Sequence, residues 1–203
     1  MNRTQFLTML GLSSFTLFNK KTMADELVKP EMLHFKDDGI IPNSKYPLLH
    51  YQKAFAEIGS NGASWLEQHF AKYNWTNSWR NGVYSFHHYH STSHEVLGIY
   101  NGSALLFLGG EKGQKVHVEA GDIIVIPAGV GHKNLGSSND FGVVGAYPDG
   151  RSWDIMRGEP GDRPKADERI AALPVPGFDP YLGKRMAWLS CGSKVLGDFA
   201  FIL

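Results

Sequence analysis

The sequence predicts an all-β domain, either a sandwich or a jelly-roll barrel. Between residues 95 and 147, short runs rich in β-branched and aromatic residues recur at close spacing, with turn residues between them. The 23 glycines and 10 prolines suit a chain with many turns. At 203 residues the chain has the length of one domain with a substantial core. Strand spacing alone does not distinguish the two architectures.

The composition excludes several classes of partner. Twenty basic residues balance twenty acidic ones, so the chain has no net charge to attract nucleic acid or an anionic membrane. No apolar run reaches the roughly 20 residues that a membrane span requires. The single cysteine, Cys191, cannot form a disulfide within the chain. We therefore expect no nucleic-acid partner and no membrane span.

The sequence pattern of residues 1–24 indicates an export signal or an apolar leader. Arg3 precedes the apolar stretch 6–18, and residues 22–24 offer small side chains suited to a cleavage site. This pattern favours an exported, periplasmic protein whose mature chain begins near Asp25. The alternative is a cytoplasmic protein in which the leader stays attached and packs on the domain or remains disordered.

An extended arm with an edge strand is predicted for residues 31–55, followed by a short helix. Ser64 and Glu67 have the spacing of a capping box, which marks a helix start. One apolar stripe at helical spacing follows, formed by Trp65, Leu66, His69, Phe70 and Tyr73. We expect this helix to cover one mouth or edge of the sheet.

The core strands are predicted to form a series of hairpins. Asn101-Gly102 is a strong hairpin signal, because both residues tolerate positive φ, so strands 95–100 and 103–108 should pair. The glycine-rich segment 109–113 predicts the next turn. Further strands are predicted at 115–119, 122–126, 131–135 and 141–147.

The rest of the chain is predicted to wrap the barrel. Residues 148–180 are rich in proline, glycine and charge, and a short helix is expected near 166–172. Residues 184–203 carry apolar side chains without a clear period, so they form an unassigned C-terminal tail. The single domain is therefore placed at residues 25–183.

Two histidines on one predicted strand indicate a metal site. The tail of the segment 82–90 has the composition of a β-strand, in which side chains alternate between faces. His88 and His90 then share one face, roughly 6.6 Å apart along the strand, and His87 faces the other way. Both imidazoles can reach one ion at a bond length of about 2.1 Å.

A carboxylate and a third histidine complete the set. Glu95 follows His90 after a turn, and His132 follows a second strand and a proline-glycine corner. These spacings predict a four-ligand metal site of His88, His90, Glu95 and His132. His94 remains an alternative to Glu95, because a turn before the next strand could present either side chain.

The same segments resemble the two sequence motifs of the cupin family. From Gly82 to Gly102 the chain reads Gly-x5-His-x-His-x4-Glu-x6-Gly, and from Gly121 to His132 it reads Gly-x5-Pro-x-Gly-x2-His, with 18 residues between. The family often has asparagine where Gly136 stands, but that asparagine is not a ligand. The resemblance runs from about residue 35 to about residue 180 and is to small single-domain bacterial cupins, a group identified by fold and not by reaction.

The resemblance implies a cupin jelly-roll barrel with a short N-terminal helix and extended terminal arms. It also implies metal chemistry at the four ligands, although a barrel without metal is the alternative. Three imidazoles and one carboxylate, with two further positions on the ion, suit one divalent Fe, Mn or Ni ion, whereas zinc is less suited. The two remaining positions would take substrate oxygens, or one substrate oxygen and O2.

Roles for individual residues follow from this arrangement. Glu95 is expected to be catalytic, because a carboxylate that leaves the metal can accept a proton. Other side chains on the same strand faces as the ligands are expected to form a mainly apolar, substrate-binding pocket. These are Tyr84, Phe86, Leu97 and Ile99.

The sequence thus predicts an enzyme that acts on a small oxygen-rich organic substrate, with dioxygenase-type oxidation favoured. The alternatives are a metal-dependent isomerase or decarboxylase, and a non-catalytic small-molecule binding or sensor module, since fold alone does not decide among them. A homodimer is also expected, because exposed sheet edges are normally covered, here by the arm at 31–55 in its own barrel or across a two-fold axis.

Overall fold

The computed structural model describes residues 28–191, so the predicted leader and residues 192–203 of the predicted tail lie outside the described chain. The strands are β1 (Glu31–Leu33), β2 (Leu48–Tyr51), β3 (Trp75–Asn81), β4 (Glu95–Asn101), β5 (Ser103–Leu108), β6 (Gln114–Glu119), β7 (Ile123–Ile126), β8 (His132–Ser137) and β9 (Gly142–Pro148). The helices are α1 (Gly59–Lys72), α2 (Lys165–Ala172) and α3 (Trp188–Cys191). No helix within 28–191 combines the length and the hydropathy needed to cross a membrane.

Two antiparallel sheets form the barrel. One has six strands in the order β1-β2-β7-β4-β9-β3, and the other has three in the order β6-β5-β8. Apolar side chains from both sheets meet in one buried cluster, which includes Leu97 and Ile124 from the larger sheet and Leu106 from the smaller one. The predicted all-β jelly-roll barrel with an N-terminal helix is confirmed.

Helix α1 packs on the outer face of the six-stranded sheet, against β3, β4 and β9. Val96 and Leu97 are neighbours in β4 but enter opposite clusters, one below the helix and one inside the barrel. Gly98 makes room for the helix, since a Cβ there would lie 2.5 Å from Leu66 Cδ2. The helix therefore covers a sheet face, and its predicted position at a mouth or edge is wrong.

The predicted start of this helix is also wrong. The helix begins at Gly59, after Ile58, which provides no side-chain cap, and Ser64 lies inside it and donates a hydrogen bond to the Ser60 carbonyl at 3.0 Å. The helix thus has about one more turn, before Ser64, than predicted, and Gly62 and Ala63 in that turn are buried. Tertiary packing therefore stabilises a turn that local propensity does not favour.

The predicted hairpin at Asn101-Gly102 is a corner between the two sheets. Gly102 has a positive φ of 66°, as the turn signal requires. However, β4 and β5 belong to different sheets, because β4 pairs with β7 and β9 whereas β5 pairs with β6 and β8. The predicted turn at 109–113 does join paired strands, β5 and β6.

The segment after β9 returns across the barrel and is fixed by buried polar contacts. Helix α2 forms at the predicted place. Beyond it, the buried Asp179 accepts a hydrogen bond from the Tyr51 hydroxyl at 2.6 Å. Trp188 Nε1 donates to the Pro47 carbonyl at 2.8 Å, and Met186 is buried in the cluster beneath α1. The described part of the predicted tail thus contributes to the core.

The arm supplies β1 at one edge of the six-stranded sheet. Met32 in this strand is 48% exposed. A homodimer through this edge stays a prediction.

Candidate metal centre

Three predicted ligands come together in one buried cluster. The ring centroids of His88 and His132 are 4.0 Å apart, and that of His90 lies 5.5 Å from His88 and 5.7 Å from His132. One nitrogen of each ring lies within 4.8 Å of one nitrogen of each of the others, which is close enough for the three to hold one metal ion. All three residues are buried.

The segment that carries two of these histidines is not the regular strand that the sequence predicts. The chain bends at residues 85 and 86, and pairing is limited to isolated bridges. His88 N–H donates to the His132 carbonyl at 3.2 Å, and His132 N–H returns the bond at 2.9 Å. Tyr89 is buried in a separate cluster, so His88 and His90 still share one side.

The hydrogen bonds of the three imidazoles leave Nε2 of each ring available as a ligand. Each Nδ1 faces a backbone carbonyl, and a carbonyl oxygen only accepts, so the proton is on Nδ1 and the lone pair is on Nε2. Fixing the tautomer through the far nitrogen is typical of metal-ligating histidines. The acceptors are Phe86 O at 3.4 Å for His88, Val130 O at 3.1 Å for His132, and Asp154 O for His90.

Glu95 places one carboxylate oxygen at the same point. Its Oε2 lies 3.4 Å from Nε2 of His90 and 3.4 Å from Nε2 of His132. Its Oε1 accepts a hydrogen bond from the Tyr147 hydroxyl at 2.9 Å. Oε2 is buried without a hydrogen-bond partner. A buried, unpaired carboxylate oxygen beside two imidazole lone pairs is costly, and a cation would remove that cost, so these residues fit a metal ion.

The electrostatics of the cluster support the same conclusion. Burial acts to raise the pKa of Glu95, but the neighbouring imidazoles of His90 and His132 hold it well below its usual range. Burial, together with the neighbouring imidazoles, lowers the pKa of His88 to about 2. Burial also opposes charge on His90, yet the Glu95 carboxylate raises its pKa. The site therefore contains an ionised carboxylate, whose negative charge favours a positive charge beside it.

The four predicted ligands open onto a cavity of about 330 Å³. The cavity is lined by Trp79, Arg80, Asn81, Gly82, Val83, Tyr84, His88, His90, Glu95, Leu97, His132, Tyr147 and Trp153. Tyr84 and Leu97 thus lie where the sequence places them, and their contact with substrate stays a prediction.

Phe86 and Ile99 are not among the residues that line this cavity, and their role in substrate binding stays a prediction. The bend at residues 85 and 86 breaks the strand alternation, and Phe86 instead stacks on Tyr84 at a centroid distance of 4.9 Å. Ile99 is fully buried in the inner cluster, four residues beyond Glu95 along β4. At about 3.3 Å per residue, it lies well along the strand from Glu95.

His94, the alternative to Glu95, lies outside the cluster. Its Nδ1 accepts the Ala128 N–H at 2.9 Å, and its ring packs against Trp188 at 5.0 Å. Since His94 directly precedes Glu95 at the start of β4, its side chain falls on the opposite face. His87, which is predicted to face away from His88 and His90, also lies outside the cluster, and its ring packs beside Phe107.

Several site residues were not identified from the sequence. Trp79 and Tyr147 come from β3 and β9, and Trp153 packs edge-on against His90 at 5.5 Å. Asp154 fixes the segment that carries His90. Its carboxylate accepts a hydrogen bond from the Ser91 N–H at 2.7 Å, and its backbone carbonyl accepts one from His90 Nδ1. Their aromatic and acidic character is visible in the sequence, but their position depends on pairing between distant segments.

This chain matches a protein-family model, and it is similar to another protein over most of its length. The model of the Cupin family matches residues 74–147, which contain all four predicted ligands. A protein of Bacillus subtilis (strain 168), described as uncharacterized protein YjlB, is 45% identical over 152 residues, which cover 74% of this chain and 89% of that protein.

The similarity to solved structures is weaker. Acireductone dioxygenase from Bacillus anthracis, with a cadmium ion in its active centre, is 18% identical over 46% of this chain and 63% of that chain, with a TM-score of 0.34. Procruciferin, an 11S globulin from Brassica napus, is 18% identical over 39% of this chain and 21% of that chain, with a TM-score of 0.33. A mutant of Bacillus subtilis oxalate decarboxylase is 20% identical over 39% of this chain and 22% of that chain, with a TM-score of 0.30. The chain thus spans less than two thirds of each of these three proteins.

Proposed function

Since this chain belongs to the cupin family, we propose that it is a metal-dependent enzyme that oxidises a small oxygen-rich organic substrate in a dioxygenase-type reaction. Cupin barrels, like other common folds, can host unrelated functions, so the proposal depends on the site and not on the fold. The observation that carries it is the convergence of three imidazole lone pairs and the unpaired Oε2 of Glu95 at a cavity of about 330 Å³.

His88, His90, His132 and Glu95 would hold one divalent ion. Mixed imidazole and carboxylate ligands suit Fe(II), Mn(II) or Ni(II), and we place zinc behind these three. When bound, such an ion supplies Lewis acidity at a substrate oxygen and, if it is iron, redox chemistry with O2. The protein contributes the fixed tautomers, the buried carboxylate and a cavity with largely apolar walls.

The cavity favours a small anionic substrate. Its volume lies at the lower end of the range of small-molecule sites, which is about 300–1,000 Å³. Three neutral imidazoles and one carboxylate leave a divalent ion with net positive charge, which favours a carboxylate such as that of a hydroxy or keto acid. The cavity wall includes Leu97, Val83 and Trp153, which favour a substrate with a hydrophobic part beside its carboxylate.

We propose Glu95 as the acid–base group. It is ionised at neutral pH because its pKa lies below the usual range, and its Oε2 would be free to accept a proton when that oxygen leaves the ion. A carboxylate in this form can receive a proton from a bound hydroxyl or carbon acid.

A binding or sensor module is the second candidate. Among the described residues that line the cavity, the only carboxylate and imidazoles are the four predicted ligands, so no further carboxylate or imidazole lies beside them as a separate acid or base. An isomerase or decarboxylase would use the same ligands without consuming oxygen.

The test is to load metal-free protein with Fe(II), Mn(II) or Ni(II) in turn, and to follow oxygen uptake with a panel of small hydroxy acids, keto acids, diols and sugars. We expect uptake with the iron form and at least one acid, and none with a His132→Ala variant treated in the same way. Product without oxygen uptake would favour the isomerase or decarboxylase. Micromolar binding without any product would favour the sensor.

A further inference from the structure

Tyr147 lies between the predicted ligand Glu95 and the indole of Trp79. Its side chain is buried in the cavity wall, and it is 1% exposed. Its hydroxyl oxygen is 2.9 Å from Glu95 Oε1 and 2.7 Å from Trp79 Nε1. The three side chains thus form one hydrogen-bonded chain that ends at the candidate metal centre.

The direction of this chain follows from what each group can do. An indole N–H only donates, so the Tyr147 oxygen must accept from Trp79. The single hydroxyl proton of Tyr147 is then left for Glu95 Oε1, and a carboxylate accepts it. Oε1 is therefore satisfied, whereas Oε2 is left facing His90 and His132 without a donor.

Strand pairing places these groups. In the antiparallel pair of β4 and β9, Val96 lies opposite Ala146, and one further step of the same register sets Glu95 opposite Tyr147. Residues opposite each other have Cβ atoms about 4.5–5.5 Å apart, which suits a direct side-chain contact.

A glycine in the same strand admits the indole. Gly145 pairs with Trp79 of β3, and a Cβ on Gly145 would lie 2.2 Å from Trp79 Cζ2. The absence of a side chain lets the indole cross the strand and reach the Tyr147 hydroxyl.

We infer that Tyr147 is a positioning residue of the metal centre, whose hydroxyl holds Glu95 so that the carboxylate presents Oε2 alone to the ion, with Trp79 fixing the hydroxyl in turn. This inference rests on the proposed metal site. Without the hydroxyl, Oε1 becomes a second buried acceptor with no donor. The carboxylate then gains by turning both oxygens toward the ion, and one position that water or substrate would take is lost.

The experiment compares Tyr147→Phe with the full-length wild-type protein, each loaded with Mn(II). The matched control is Tyr51→Phe, which also removes a buried hydroxyl that donates to a carboxylate, that of Asp179, away from the site. The readouts are metal content, the water-proton relaxivity of bound Mn(II) and its electron paramagnetic resonance spectrum.

We expect Tyr147→Phe to retain Mn(II) but to lose about half of the inner-sphere relaxivity, since six-coordination leaves two positions beside four single-oxygen or single-nitrogen ligands and one beside a chelating carboxylate. Its spectrum should change, whereas the spectrum of Tyr51→Phe should match the wild type. Trp79→Phe should shift both readouts in the same direction by a smaller amount, which provides a second variant.

Unchanged relaxivity and spectrum in Tyr147→Phe and Trp79→Phe, at full Mn(II) content, would overturn the inference and leave the proposed function intact. Equal changes in Tyr51→Phe would overturn it as well. A wild-type protein that binds no metal at all would overturn both.

Discussion

Replacement of His132 by alanine should abolish retention of a divalent metal, because the cluster loses one of three converging Nε2 atoms while the backbone bridge to His88 stays intact. His88→Ala should have the same effect. Glu95→Gln should weaken binding by roughly tenfold or more, about 1.4 kcal/mol, since the amide keeps an oxygen but loses the charge. The measurement is metal content by elemental analysis after dialysis, with titration of metal-free protein for affinity.

His87→Ala provides the matched control for these variants. His87 directly precedes His88 but lies outside the cluster, beside Phe107. Its replacement should leave the metal content unchanged. Full occupancy in His132→Ala would show that the ligands are not the residues assigned here.

Trp188→Ala should lower the free energy of unfolding by about 3–5 kcal/mol, the range for truncating a large buried aromatic side chain. Trp188 is 1% exposed, stacks on Tyr46 at 5.5 Å and donates to the Pro47 carbonyl. Its replacement leaves a cavity and an acceptor without its donor. Urea denaturation of the purified variant measures the change.

Phe178→Ala serves as the control in the same C-terminal segment. The Phe178 side chain is 55% exposed, so its loss should cost less than about 0.5 kcal/mol, as is usual for surface positions. A loss below about 1 kcal/mol in Trp188→Ala would mean that the described tail does not contribute to the core.

Trp188 also illustrates what the sequence could not reveal. It lies in a segment without hydrophobic periodicity, so no pattern distinguishes it from a loop residue. Its burial comes from contacts with residues more than a hundred positions earlier in the chain, such as Pro47. Contacts of this kind depend on the return path of the chain, which local propensity does not encode.

The candidate ligands were predictable because each lies at a fixed, short distance from a neighbouring ligand or a turn. His88 and His90 share a side even though the segment is not a regular strand. Tyr89, which lies between them, points its side chain into a different cluster. Tyr147 and Trp79 could not be assigned in this way, because the hydrogen bonds from Trp79 to Tyr147 and from Tyr147 to Glu95 require the register of β9 with both β3 and β4.

The errors at the predicted hairpin and at the predicted helix start have the same origin. Asn101-Gly102 does specify a backbone with positive φ, but not which strand the next one pairs with, and here the chain crosses to the other sheet. Ser64 and Glu67 have capping-box spacing, yet burial of Gly62 and Ala63 extends the helix beyond them. In both cases local chemistry is compatible with more than one tertiary arrangement.

The most direct test of the metal centre is diffraction from crystals of the metal-loaded protein, recorded at the absorption edge of the bound ion. We expect one anomalous peak per chain at about 2.0–2.2 Å from Nε2 of His88, His90 and His132 and from Oε2 of Glu95. The peak should be absent from crystals of the His88→Ala/His90→Ala double variant soaked in the same way. A peak elsewhere on the chain, or one of equal height in the double variant, would contradict the assignment of this site.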